Sequence, residues 1–233
     1  MARIDGRAND QLRPIEIIPN FNKFAEGSCL IRCGNTQVLC CASVEERTPP
    51  HVPEGEGWVT AEYSMLPRAN RERSKRDVSK LKLSPRSAEI QRLVGRSLRA
   101  CVDMKKLGER TVTIDCDVLQ GDGGTRTASV TGGYVALALA LKKVGAADAL
   151  VDQVAAVSAG IVDDQLLLDL CYEEDSSAQV DLNCVMTGDG KLVEIQGTGE
   201  GRAFTVEEQR ALVDLCAKGI ARLQEIQNKV LEG

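Results

Sequence analysis

Alternation of apolar and polar residues marks the strands of this chain. Residues 111–118 alternate most cleanly, because valine, isoleucine and cysteine face one side while threonine and aspartate face the other. Gly27 is predicted to lie in a turn between strands. The other strand segments are 15–46, with three short strands, 58–64, and 153–195, with a meander.

Helical spacing of apolar residues predicts three helices. The first follows Ser84, a suitable N-cap, and has Pro85 at its first helical position. The second follows a glycine-rich turn at 120–128, and the third opens with the capping box Thr205 to Glu208. The order of strands and helices predicts an α+β fold with mixed or antiparallel sheets and packed helices, not a doubly wound parallel sheet.

Length and composition are those of an ordinary globular protein. The 233 residues are 43% apolar and 27% charged, enough for one large domain or two small ones. Since no linker rich in Pro, Gly or Ser separates two domains, the best boundary lies near residues 145–151. We therefore predict an N-terminal part, 1–150, with the glycine-rich turn and a basic segment. The C-terminal part, 151–233, belongs to the same structural unit.

The N-terminus and the cysteines predict a cytoplasmic protein with no membrane partner. Residues 1–14 lack the apolar core of a signal peptide, and the longest apolar run, 135–141, is too short to span a bilayer. In a reducing compartment the nine cysteines are expected to be buried free thiols. His51 is the only histidine, which excludes mechanisms that need two.

The glycine-rich turn is a candidate anion site. Gly121, Gly123 and Gly124 let the backbone turn sharply before a helix whose first N–H groups are free. Arg126 and Arg86 lie in the first turns of two helices, where a cation is unfavourable unless it faces an anion. One anion held between the two helix starts is one interpretation. A flexible turn with exposed arginines is the other.

Positive charge is concentrated in residues 68–86. This segment holds eight Lys or Arg against two Asp or Glu, a net charge of +6, so the rest of the chain is at −11. The overall charge of −5 and the 3% of aromatic residues argue against a base-reading RNA-binding domain. The local charge instead favours contact with a phosphate backbone, although many charged segments are simply solvated.

Two aspartates are candidate catalytic or metal-binding residues. Val180, Leu182, Cys184 and Met186 would face a core, which leaves Asp181 and Asn183 on the polar face of the same strand. Asp175 can share a site with Asp181 only if the chain turns at Ser176 and Ser177. Together the two carboxylates could hold a divalent metal, or one could act as a general acid. Two solvated acids near a hairpin are the alternative.

These motifs in this order resemble the ribonuclease PH family, the phosphorolytic exoribonucleases also called tRNA nucleotidyltransferases. The resemblance covers essentially the whole chain. It is carried by Arg3–Arg7 (RIDGR), Leu12–Pro14 (LRP), Ala25–Ser28 (AEGS), Glu62–Arg68 (EYSMLPR), Glu89–Arg99 (EIQRLVGRSLR), Asp117–Ala128, Glu174–Ser176 (EDS) and Asp181–Asn183 (DLN).

The resemblance implies an RNase PH-type fold and an activity. Such enzymes trim the 3′ ends of tRNA precursors with inorganic phosphate, releasing nucleoside 5′-diphosphates in a reversible reaction, and assemble as a homohexamer, a trimer of dimers. The implied phosphate-binding residues are Arg86, Gly124, Thr125 and Arg126. The implied catalytic and Mg²⁺-binding residues are Asp175 and Asp181, and the implied tRNA-binding residues are Arg68, Arg73 and Arg76.

The sequence departs from the usual family pattern at two positions, and two alternative functions remain open. Pro85 and Leu81 replace glycines that are usual in the family, which predicts altered mobility of the basic segment without loss of phosphate binding. One alternative function is a non-catalytic RNA-binding ring subunit of an exosome-like assembly. A broader RNA-degrading enzyme of the polynucleotide phosphorylase type is the other. The presence of Arg86, Arg126, Asp175 and Asp181 favours the active enzyme.

Overall fold

A computed structural model describes residues 3–76 and 83–233. Within those residues, two β-sheets and five α-helices confirm the predicted α+β class. The strands are β1 Ile15–Pro19, β2 Gly27–Cys33, β3 Thr36–Glu45, β4 Trp58–Met65, β5 Thr111–Gln120, β6 Val154–Val162, β7 Gln165–Leu168, β8 Val180–Thr187 and β9 Leu192–Gly199. The helices are α1 Pro85–Arg99, α2 Met104–Leu107, α3 Thr125–Lys143, α4 Tyr172–Asp175 and α5 Val206–Glu232.

The first sheet is mixed and follows the predicted alternation. Its strand order is β1-β2-β3-β5-β4, and β4 runs parallel to β5 while the other pairs are antiparallel. The connection from β4 to β5 passes through α1, whose N-cap Ser84 accepts a hydrogen bond from the Ser87 amide at 3.0 Å. Val112, Ile114 and Val118 of β5 are fully buried, as their period of two predicts.

The second sheet is antiparallel and shares a core with the first. Its order is β7-β6-β8-β9, and α5 packs against β6 and β8. Helix α3 packs against β2 and β3 of the first sheet and β6 of the second. Val154, Ala156 and Val185 therefore belong to the same apolar cluster as the first sheet. The division into residues 1–150 and 151–233 stays a prediction.

The structure contains two short helices that the sequence does not predict, and it places Gly27 in a strand instead of the predicted turn. Helices α2 and α4 have four residues each, too few to produce a helical apolar period. Gly27 does not lie in a turn: it begins β2 and pairs with Ala42 of β3. A Cβ at Gly27 would lie 2.1 Å from the Ala136 carbonyl oxygen, so glycine is needed for β2 to approach α3.

The cysteines of this chain pack in its core. All nine cysteines are free, and eight are buried, with only Cys41 partly exposed, which agrees with packing in the core. In the described parts of the chain, no helix is long and apolar enough to cross a bilayer.

Gly27→Ala and Gly133→Ala make the same chemical change with opposite expected effects on stability. Gly27→Ala should lower the free energy of unfolding by about 2–3 kcal/mol, because the helix backbone must move to admit the methyl group. At Gly133 of α3 the nearest atom to an added Cβ is 3.5 Å away. That change should raise the free energy of unfolding by about 0.5–1 kcal/mol. Urea unfolding measures both, and equal effects would contradict the close approach at Gly27.

Candidate active site

One cavity of about 360 Å³ is lined by all six residues of the predicted site, the four predicted to bind phosphate and the two aspartates. They come from separate elements: the starts of α1 and α3, the end of α4, and β8. The six residues are Arg86, Gly124, Thr125, Arg126, Asp175 and Asp181. The chain therefore makes the turn between Asp175 and Asp181 that a shared site requires.

The glycine-rich turn delivers the start of α3 to the cavity. Gly123 and Gly124 have φ of 76° and 64°, a conformation that favours glycine. No side chain caps α3, and the first residues of this helix, Thr125 and Arg126, line the cavity. Thr125 is buried, and its hydroxyl pairs with that of Tyr63 at 2.9 Å. An uncapped helix start is suited to an anion.

Two arginines add positive charge to this helix start. Arg126 is 14% exposed, and its guanidinium donates to Gln196 and, at 3.3 Å, to Glu89. Arg86 is exposed in the first turn of α1, and neither α1 nor α3 has an acidic residue in its first turn. The cavity thus brings both arginines together, as the two-helix interpretation expected.

Burial raises the pKa of both aspartates. The pKa of Asp181 rises to about 6, because burial and the neighbouring Asp175 charge outweigh the attraction of Arg126. Burial also raises the pKa of Asp175, while Arg86 and Arg126 hold it down. Asn183 donates to Asp181 Oδ2 at 3.2 Å, whereas the buried Oδ1 has no hydrogen-bond partner.

The aspartate pair fits a magnesium ion by its chemistry. An unpaired buried carboxylate oxygen and two mutually repelling carboxylates would both be relieved by a divalent cation. Within residues 3–76 and 83–233, no three His, Cys, Asp or Glu side chains form a metal-binding group. Two carboxylates suit Mg²⁺, which keeps several waters and takes further oxygens from substrate phosphates.

The sequence matches both domains of one family. Domain 1 of the 3′ exoribonuclease family matches residues 11–143, and domain 2 matches residues 152–218. This chain belongs to the ribonuclease PH family. The ribonuclease PH of Moorella thermoacetica is 55% identical over 99% of this chain and 95% of the relative. That of Bacillus pumilus is 56% identical over 98% and 97%.

Solved structures share the fold of this ribonuclease PH family member. Rice Rrp46 has a TM-score of 0.84 at 17% identity, covering 99% of this chain and all of that one, and so supports the fold alone. An archaeal exosome core has a TM-score of 0.78 at 26% identity, covering 97% of this chain and 91% of that one. The Archaeoglobus fulgidus exosome with RNA bound to the active site gives 0.79 at 27%, over 96% and 91%.

Family membership sets the class of reaction. The chain is a phosphorolytic 3′–5′ exoribonuclease, a nucleotidyltransferase with inorganic phosphate as co-substrate and RNA as substrate. The roles of individual residues in that reaction are proposed below.

Five further residues line this cavity: Ser158, Ser176, Ala178, Asn183 and Glu200. Ser158 Oγ accepts from the Leu170 amide at 3.2 Å, and Asn183 orients Asp181. Asn183 was accessible to sequence reasoning, because it shares the polar face of its strand with Asp181. Ser158 lies on the fully buried strand β6 and gives no such signal.

Buried arginines of the N-terminal segment hold the cavity walls. Arg13 Nη2 lies 2.6 Å from Asp169 Oδ1, and its Nη1 donates to the carbonyl oxygen of Asp122 beside the glycine-rich turn. Arg3 binds both carboxylate oxygens of Glu174, at 2.7 and 2.8 Å, next to Asp175. The sequence motifs that contain Arg3 and Arg13 do not reveal this role, since a sequence does not distinguish a buried arginine from a solvated one.

The structure does not bring the predicted tRNA-binding arginines into the cavity. Arg68, Arg73 and Arg76 are exposed on the segment that follows β4. Pro85 is the first residue of α1, as predicted. Leu81 lies outside the described residues.

Asp181→Asn should stabilise the protein at neutral pH in the presence of a chelator. The folded pKa of about 6 exceeds the ordinary 3.8, so ionisation of Asp181 costs stability as pH rises through this window. The variant should therefore gain nothing near pH 4 and about 1–3 kcal/mol above about pH 7. Urea unfolding across this pH range measures the difference.

Asp189→Asn is the control for this prediction. Lys191 and Thr187 lower the pKa of the exposed Asp189 to about 2, so its replacement should give no gain at neutral pH. Parallel pH profiles for wild type and Asp181→Asn would show that burial of Asp181 carries no such cost.

Proposed function

We propose that this enzyme trims the 3′ ends of tRNA precursors. Its proposed active site is the cavity between α1, α3, α4 and β8. The observation that carries the proposal is the convergence of Arg86, Arg126 and an uncapped helix start with Asp175 and Asp181. Phosphate binds Arg86, Gly124, Thr125 and Arg126, and the terminal phosphodiester lies between this anion and the carboxylates.

The proposed reaction needs no histidine. Hydrogen phosphate is already a nucleophile near neutral pH, and its oxygen attacks the terminal phosphorus in line with the leaving O3′. The P–O3′ bond breaks, a new P–O–P bond forms, and the proton of hydrogen phosphate ends on O3′. The products are a nucleoside 5′-diphosphate and an RNA one nucleotide shorter. The two arginines neutralise the crowded phosphate oxygens.

Asp175 and Asp181 are proposed to hold Mg²⁺. The ion, when bound, supplies positive charge to the phosphate oxygens. The ionised form of Asp181 would hold the ion, so bound Mg²⁺ would stabilise the negative charge that burial disfavours when it raises the pKa of Asp181 to about 6. Asn183 keeps the Asp181 carboxylate oriented toward the cavity.

We further propose a cytoplasmic homohexamer, a trimer of dimers, in which Arg68, Arg73 and Arg76 contact tRNA. The exposure of these arginines and the local charge of +6 support contact with an RNA backbone. The alternative of a non-catalytic ring subunit is less well supported. The relatives at 55% and 56% identity are described as ribonuclease PH, while the exosome structures are 26% and 27% identical.

A tRNA with extra 3′ nucleotides tests the proposed function. Incubated with phosphate and Mg²⁺, the enzyme should release nucleoside diphosphates and shorten the tRNA, and omission of phosphate should stop both. Chromatography of the released nucleotides measures the products. Nucleoside monophosphates, or no trimming, would overturn the proposal.

Arg126→Ala should raise the KM for phosphate by roughly 10²-fold, because it removes a charged donor from a partly buried anion site. Arg96→Ala is the matched control: Arg96 is 52% exposed, pairs with Glu194 and does not line the cavity. Initial rates of nucleoside diphosphate release against phosphate concentration measure the effect. An unchanged KM in the Arg126 variant would place the phosphate elsewhere.

Arg73→Ala should weaken tRNA binding more than binding of a short oligonucleotide, since only tRNA extends from the cavity to the basic segment. The slope of the logarithm of the tRNA-binding constant against the logarithm of the salt concentration should decrease in magnitude by about 1. Arg222→Ala, a change of the same type at an exposed site on α5, should leave both unchanged. Equal losses for tRNA and oligonucleotide in the Arg73 variant would contradict a tRNA-specific role.

A further inference from the structure

A second cavity of about 370 Å³ lies beside the candidate active site. It is formed by the segment Asn70–Glu72, the start of the glycine-rich turn at Gly121 and Asp122, and Tyr172 of α4. None of these residues is used in the reaction proposed above. The cavity therefore needs its own explanation.

The two cavities are lined by different residues of the same two elements, helix α4 and the glycine-rich turn. Tyr172 begins α4 and lines the second cavity, whereas Asp175 ends α4 and lines the first. Residues three apart on a helix are neighbours, with about 5–6 Å between their Cβ atoms. Asp122 Oδ1 accepts from the Tyr172 amide at 3.3 Å, which ties α4 to the glycine-rich turn. A strand whose 3′ end lies in the first cavity can thus reach the second.

The lining of the second cavity favours a nucleobase over a phosphate. The Tyr172 side chain is 48% exposed, and the Arg71 guanidinium carbon lies 5.4 Å from its ring centroid. An exposed aromatic ring and an arginine plane are the groups on which unpaired bases stack. Glu72 and Asp122 also line this cavity, and their carboxylates repel phosphate, which leaves an uncharged base as the better occupant.

We propose that Tyr172 and Arg71 form a stacking subsite for an RNA nucleobase upstream of the nucleotide being removed. This inference rests on the proposed path of the RNA 3′ end into the cavity of Arg126 and Asp181. Arg71 also pairs with Glu173, but both side chains are largely exposed, at 73% and 45%. Such an ion pair contributes little to stability, so Arg71 is able to move with the base.

Binding of a fluorescent single-stranded RNA in the absence of phosphate tests the subsite without turnover. Tyr172→Ala should weaken binding by about 5- to 100-fold, the range of one base–aromatic stack. Tyr172→Phe keeps the ring and should bind within about twofold of wild type. Phe24→Ala is the control, because Phe24 is 81% exposed and lines a different cavity. Equal binding by the Ala, Phe and wild-type proteins would overturn the proposal.

Oligonucleotides with one abasic ribose at successive positions from the 3′ end locate the base. One position should weaken wild-type binding as much as Tyr172→Ala does, and should cause no further loss in that variant. If the abasic substitution weakens binding by the same factor in Tyr172→Ala as in the wild type, the tyrosine ring does not contact that base. This result would refute the subsite. Since no step needs phosphate, this failure is distinguishable from failure of nucleoside diphosphate release in the wild type.

Discussion

The geometry of the candidate site depends on a buried network of ion pairs between the N-terminal segment and the chain that leads into α4. Arg3 with Glu174, and Arg13 with Asp169, are at most 6% exposed. Desolvation of such pairs offsets most of their attraction, but one partner left alone costs about 3–5 kcal/mol. The network therefore contributes less to net stability than to the position of the segments that it joins. Through Asp122 and Glu174 it fixes both the glycine-rich turn and the helix that ends at Asp175.

The site held by this network is unfavourable on its own. Arg86 and Arg126 occupy helix starts, where the helix dipole disfavours cations, and the half-buried Asp175 and Asp181 lie near one another. A bound phosphate relieves the first conflict, and a bound cation relieves the second. Local conflicts that a ligand removes are typical of functional sites, because a fold under selection for stability alone would lose them. The same residues thus account for the raised pKa of Asp181 and for the proposed chemistry.

Most elements were predictable because their signals are local. The alternation in 111–118 is visible within one strand, and the Ser84–Pro85 pair within one turn of α1. The sequence does not show which distant residues meet at the site. Helix α4 has three acidic residues and no apolar period, so the turn that joins Asp175 to Asp181 has no local signal. Arg3 and Arg13 are another example, since their burial depends on partners more than 150 residues away in the chain.

Segregated charge and few aromatic residues suit an enzyme that removes one nucleotide after another. With a net charge of −5, the chain carries +6 on the segment 68–86, which attracts an RNA backbone, and −11 on the remaining residues. Contacts to phosphates do not depend on the base, and neither does stacking on a single tyrosine. A site that read each base by its hydrogen-bonding edge would lose affinity as trimming brought the next base into register. Binding through phosphates and one ring keeps successive nucleotides equivalent, which is the condition for repeated shortening from the 3′ end.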